Sequence, residues 1–204
     1  MSSPLLRLIT PVRPGVVVSV RDLTPPVNSP LLPYAKEQLV IENADHDTLL
    51  RRLIDAAVIY ITLASRKVLF NLTREMVLDS FPDKDFIDLY TAPLVSVEAF
   101  TTFNEADVAD STFTGYTIDS PGARLLLKDS AYWPSNLRGN SAVRISYTVG
   151  HGSNMAQMPS ELVHAVMLLV GHWYQNRAAG GCDITAEMAF GVSDIIAQTR
   201  VMRL

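Results

Sequence analysis

The chain has 204 residues, 48% of them apolar and 19% charged, with a formal net charge of -4. That balance is ordinary for a globular domain able to bury a sizeable core, and it excludes the Lys- and Arg-rich composition with which strong nucleic-acid binders displace phosphate counterions. The single cysteine, Cys182, cannot form an intrachain disulfide, and the longest uncharged apolar stretch, Ala165 to Trp173, falls short of the roughly 20 residues that cross a bilayer, so no membrane partner is expected.

Residues 1 to 33 hold seven prolines, which fix φ and remove backbone donors, so helix is excluded and ladder pairing limited to a few residues. The reading is an extended arm over 1–32, with the run Val16 to Val18 too short for the apolar core of a signal peptide. A single domain is expected over 33–204. Pro33 suits a first helical position, and Ala35, Leu39 and Val40 repeat at helical spacing. Asp45 or Asp47 is the expected cap of a second helix, whose apolar stripe runs through Leu50, Ile54, Ala57 and Ile61 to Val68 and Leu69.

The period then changes. Over about 73–149, β-favouring runs at Met76 to Phe81, Phe86 to Tyr90, Val95 to Phe103, Tyr116 to Ile118, Arg124 to Leu127 and Val143 to Val149 alternate with turn residues. The clearest strand sets Val143, Ile145, Tyr147 and Val149 against Arg144, Ser146 and Thr148, and Ser120-Pro121-Gly122 predicts a hairpin turn. After Gly150-His151-Gly152, Pro159 and Ser160 open a long helix that is apolar around more than half its surface, hence central. Gly180-Gly181 is its expected end. A last helix is expected to start with Ser193 as N-cap and to finish near Arg200 and Arg203, cations suited to a helix C-terminus. The fold class is therefore α+β: two N-terminal helices, a long central helix and a C-terminal helix, with an antiparallel β insertion between the second and third helices.

Chemistry is sparse. His164 and His172 are too far apart on one helix for the adjacent-turn spacing that lets two imidazoles share a metal. His151 stands between glycines without a nucleophile motif such as G-x-S-x-G, which leaves a small hydrolase using His151 as an alternative of another class. No phosphate-cradling glycine motif occurs, and Asp83, Asp85 and Asp88 lack the glycine and closing glutamate of a calcium loop. No catalytic residue, metal or cofactor is expected. What remains is interfacial: Trp173, Tyr174 and Arg177 near the end of the central helix are residue types found in cores and at contact hot spots. Phe190, Val192, Ile195 and Ile196 carry more apolar surface than a free tail should expose.

Leu8-Ile9-Thr10-Pro11, Pro33-Tyr34-Ala35-Lys36-Glu37-Gln38-Leu39, the Asp45-His46-Asp47 segment, Phe81-Pro82 and Ala92-Pro93-Leu94-Val95-Ser96-Val97 stand in an order that resembles the head-to-tail connector (adaptor) proteins of long-tailed bacteriophages, prophages and gene transfer agents. The most specific stretch is Leu168-Leu169-Val170-Gly171-His172-Trp173-Tyr174-Gln175-Asn176-Arg177, followed by Phe190-Gly191-Val192 and Arg200. The long proline-rich arm and the stretch from Asp183 to Glu187 depart from that pattern. The resemblance implies a structural virion protein in the neck, present in the host cytoplasm during assembly, forming a homo-oligomeric ring of about a dozen copies closed by head-to-tail contacts. It further implies a portal protein and a stopper or tail-completion protein as partners, and DNA passing through the lumen without sequence-specific binding. A docking tail over about 182–204, with Phe190, Val192, Ile195, Ile196, Arg200 and Arg203, would attach to the portal. A stopper or tail-completion protein of the same neck is the nearest alternative.

Overall fold

The computed structural model describes residues 18–24, 29–176 and 190–200; these form four α-helices and two antiparallel sheets, a mixed α+β fold. The chain divides into two compact units, one of Met1–Pro25 with Asn71–Gly150 and the other of Pro26–Phe70 with His151–Leu204.

In the helical unit, a 3-10 turn at Ser29–Leu31 leads into α1 (Leu32–Leu39), with Pro33 in its first turn, where its missing donor goes unnoticed. The helix stops at Val40, which turns left-handed at φ 55 and donates its N–H to the Glu37 carbonyl. The second helix, α2 (Asp47–Ser65), is not capped by Asp45 or Asp47 as expected: His46 occupies the N-cap position with no side-chain cap bond. Asp45 instead accepts from the Asn43 amide, and the Asp47 carboxylate is held at 2.8 Å by Lys36 Nζ. The predicted apolar stripe outruns the helix. Ser65 Oγ donates back to the Ile61 carbonyl at 2.7 Å and accepts the Lys67 N–H, Arg66 turns left-handed at φ 61, and Val68, Leu69 and Phe70 are buried outside any helix. A hydroxyl competing for backbone partners ends a helix that hydrophobic periodicity alone would continue.

After a 3-10 turn at Met155–Gln157, α3 (Ser160–Gln175) buries Leu162, Ala165, Val166, Met167, Leu169 and Val170, and it packs against α1, α2 and α4 (Phe190–Thr199). Its described end is Asn176, whose N–H and Nδ2 both reach the His172 carbonyl; the expected stop at Gly180-Gly181 lies outside the described residues. Ser193 is inside α4, not at its N-cap: the helix extends earlier because Val192 is drawn into the core, 5% exposed. Each fully buried aliphatic of this core, Leu50, Ile54, Ile61 and Leu162 among them, contributes about 1.5–3 kcal/mol of transfer free energy.

The β unit contains β1 (Val18–Asp22), β2 (Leu72–Leu78), β3 (Phe86–Asp88), β4 (Leu94–Phe103), β5 (Ala109–Asp110), β6 (Tyr116–Asp119), β7 (Arg124–Leu127) and β8 (Val143–Val149). They form a five-stranded sheet in the order β1-β2-β8-β4-β5 and a three-stranded sheet in the order β3-β7-β6. The alternation expected of Val143 to Val149 is observed, with all four apolar members fully buried at the centre of the larger sheet. The strand expected at Met76 to Phe81 begins and ends earlier, at Leu72–Leu78. Sequence reading found neither β5 nor β1, and β1 brings residues of the proline-rich segment into the sheet, Val20 opposite Met76 and Arg21 opposite Glu75. The expected hairpin turn joins β6 to β7, with Gly122 N–H on Asp119 Oδ1 and Ala123 N–H on the Ser120 carbonyl. Gly150, at φ 138, closes the unit against Asn71; a Cβ there would lie 2.6 Å from the Asn71 Cα, so the position requires glycine.

Candidate functional site

Among the described residues no group of three or more His, Cys, Asp or Glu side chains could hold a metal ion. His151 donates its backbone N–H to the Leu69 carbonyl at 2.9 Å, while Nε2 of its ring is buried without a hydrogen-bond partner. Burial, with Lys67 nearby, lowers its pKa and keeps the imidazole neutral. No hydrogen bond links this ring to a hydroxyl or thiol among the described residues, so the geometry of an activated nucleophile is not assembled there. Asp83 and Asp85 are exposed, and Asp88 Oδ1 accepts the Tyr90 N–H at a strand end.

The expected interface residues fall into four groups. Trp173 and Tyr174 are half-buried against the helical core, and Tyr174 meets His46 edge to face at 5.7 Å. Val192 belongs to the buried core of its own unit, with Ile195 and Ile196 partly buried against it, so much of the apolar surface attributed to a free tail is covered by α2 and α3 of the same chain. Arg200 is exposed, its N–H on the Ile196 carbonyl at the helix end. Arg177 and Arg203 lie outside the described residues, as does the side chain of Phe190.

Two clusters in the β unit escaped sequence reading. Phe81, Phe100, Phe113, Tyr116 and Trp133 stack into one aromatic array: Phe81 lies 4.9 Å from Trp133, and Phe100 lies 5.3 Å from both Phe113 and Tyr116. It ties β4 of one sheet to β6 of the other, and Trp133 Nε1 donates to the Lys84 carbonyl at 2.9 Å. The second cluster is ionic. The Glu75 carboxylate, with a side chain only 8% exposed, lies 2.7 Å from Arg21 and 3.8 Å from Arg144, while Arg74 bridges Asp22 at 2.6 Å and Thr91 at 3.0 Å. Tyr147, wholly buried nearby, donates its hydroxyl to the Leu89 carbonyl, and desolvation pushes its pKa upward. Both clusters hold strands of the β unit together.

Among the described residues these features are structural contacts, and comparison with known proteins bears on the fold that carries them. No protein-family model and no curated protein matches the chain. Among solved structures it is similar to a chain of "Neck of empty GTA particle computed with C6 symmetry", with a TM-score of 0.77 and 24% identity over 91% of this chain and 96% of that one. The fold is that of a gene transfer agent neck chain. A chain of "Virion of native gene transfer agent (GTA) particle" matches with a TM-score of 0.75 and 22% identity, and one of "Neck of native GTA particle computed with C12 symmetry" with 0.73 and 24%, each over the same shares of the two chains. The neck-type fold therefore extends over both compact units, which agrees with the resemblance seen in the sequence.

Proposed function

We propose that this chain is a structural neck protein of a phage-like particle: the connector that forms a ring between portal and tail, extends the DNA channel and offers a platform to a stopper or tail-completion protein. The observation that carries this reading is the likeness to neck chains over 91% of the sequence and 96% of theirs, from particles reconstructed with six- and twelve-fold symmetry. Composition supports it. A ring of chains each carrying net charge -4 would not present the basic lining that grips phosphates, so duplex DNA could slide. The hydrolase alternative draws no support from His151, whose buried Nε2 has no hydrogen-bond partner among the described residues.

In this proposal the C-terminal segment attaches to the portal, with Arg200 and Arg203 available to acidic groups. Val192, Ile195 and Ile196 anchor the described part of this segment in its own unit; Phe190 is proposed as part of the same docking surface, and Trp173, Tyr174 and Arg177 as structural or subunit-interface residues. The test is genetic. Particles made without this chain should accumulate as heads with unattached tails and poorly retained DNA; normally tailed, DNA-filled particles would overturn the proposal. In complemented particles, a label fused to the chain and found beside the tail tube, away from the portal, would mark a stopper instead.

A further inference from the structure

Val40 is 84% exposed and sits at φ 55, a left-handed conformation that glycine or asparagine adopts readily and a β-branched residue does not. The left-handed turn that caps α1 thus projects an apolar, β-branched side chain into solvent at the end of the helix. On α1 and just past its end, Tyr34, Glu37 and Glu42 are exposed as well. On α2 a second exposed stripe follows the helical period: Arg52, Ala56, Tyr60 and Leu63, the last 54% exposed, with half-exposed Arg66 just beyond the helix. Among the described residues Glu37, Glu42, Arg52 and Arg66 have no side-chain partner. One helical unit therefore exposes two apolar groups, one accompanied by the acids Glu37 and Glu42 and the other mainly by bases, Arg51, Arg52 and Arg66, with Asp55 among them.

We propose that these faces are the two halves of a contact between successive copies of this chain, Val40 and Tyr34 of one copy seating on the Tyr60 and Leu63 stripe of the next. The inference rests on the ring reading and specifies its interface. Charge complementarity selects the occupant: pairing either face with itself would set mainly like charges together, whereas acid-rimmed against mainly base-rimmed aligns opposite ones. Because the two faces differ, the contact is heterologous and repeats from copy to copy, closing into a ring where the rotation permits.

The test uses full-length chains in which Cys182 is replaced by serine, one carrying Val40→Cys and the other, bearing a distinguishing tag, Leu63→Cys. Both positions are exposed, so folding is preserved, checked by circular dichroism. Mixed under assembly conditions with a short thiol-to-thiol crosslinker, the two should give mixed dimers at least ten-fold in excess of those from either chain alone, with the 40–63 link identified by mass spectrometry, and the yield should fall with added salt as screened ion pairs require. Equal crosslinking of either chain with itself would overturn the assignment. Rings formed by the wild-type chain, together with no 40–63 link between the two cysteine variants, would remove this interface and leave the ring reading standing; absence of any self-association, including on portal rings, would remove both.

Discussion

Arg21 Nη2 lies 2.7 Å from Oε1 of Glu75, and through that pair a strand from the proline-rich N-terminal segment is fastened to the edge of the larger sheet. Glu75 sits opposite Arg21 in the ladder and also faces Arg144 on the other side, at 3.8 Å. Removing one partner of a largely buried ion pair leaves the other charge poorly compensated. Arg21→Ala should therefore cost about 1–2 kcal/mol, a charged hydrogen bond discounted for the half-exposed arginine and the remaining Arg144. Chemical denaturation measures this, and an unchanged midpoint would show that β1 is not held through Glu75.

Trp133 is the keystone of the aromatic array in the β unit. Trp133→Ala should destabilise the chain by about 2–3 kcal/mol, below the range for fully buried tryptophan because the ring is partly exposed, and should abolish most of the near-ultraviolet dichroism of the stacked rings. Trp133→Phe, which keeps stacking and loses the bond to the Lys84 carbonyl, should cost only about 0.5–1.5 kcal/mol. Equal losses in the two variants would contradict a stacking role.

How much of this was legible in sequence depends on the range of the interaction. The strand at Val143–Val149 and its buried face follow from strict alternation, and the run Arg124–Leu127 was bounded correctly by its turn residues. The end of α2 was missed because Val68, Leu69 and Phe70 continue the apolar pattern while a local hydroxyl and a left-handed Arg66 break the helix. The pairing of β1 was missed because the prolines on either side of it signal irregular chain, and its partner β2 lies some fifty residues away. The aromatic array is drawn from strands and loops far apart in sequence, and Trp133 stands in a Pro-, Ser- and Asn-rich stretch that reads as loop. Apolar α4 residues suggested an intermolecular surface, but sequence could not show that Val192 finds its partners within its own unit.

Replacing Val40 by glycine should separate stability from assembly. Relieving the left-handed strain, less the added flexibility of glycine in the unfolded chain, should stabilise the folded chain by about 0.5–1 kcal/mol, read as a raised thermal midpoint. The same variant should assemble less well, since the side chain that seats on the neighbouring copy is gone. A lowered midpoint would mean that Val40 stabilises its own unit.

His151 gives the chain a pH signature. Burial, and then Lys67, lowers its pKa in the folded state below the ordinary imidazole value of about 6.5, so below that value the unfolded chain binds a proton that the folded chain resists. Stability from this group is complete above pH 6.5 and declines as the pH falls toward the depressed folded-state value. Denaturation curves from pH 7.5 to 5 should show that decline, and His151→Gln should flatten it; identical slopes in the two proteins would show that His151 is not responsible.

The most direct measurement is a cryo-electron microscopy reconstruction of the neck from particles carrying this chain. The account predicts a closed ring of symmetry-related copies directly beneath the portal, each fitted by the α+β fold described, with the acid-rimmed end of α1 facing α2 of the adjacent copy. A neck in which that ring is built of another protein, or in which this chain is absent, would contradict it.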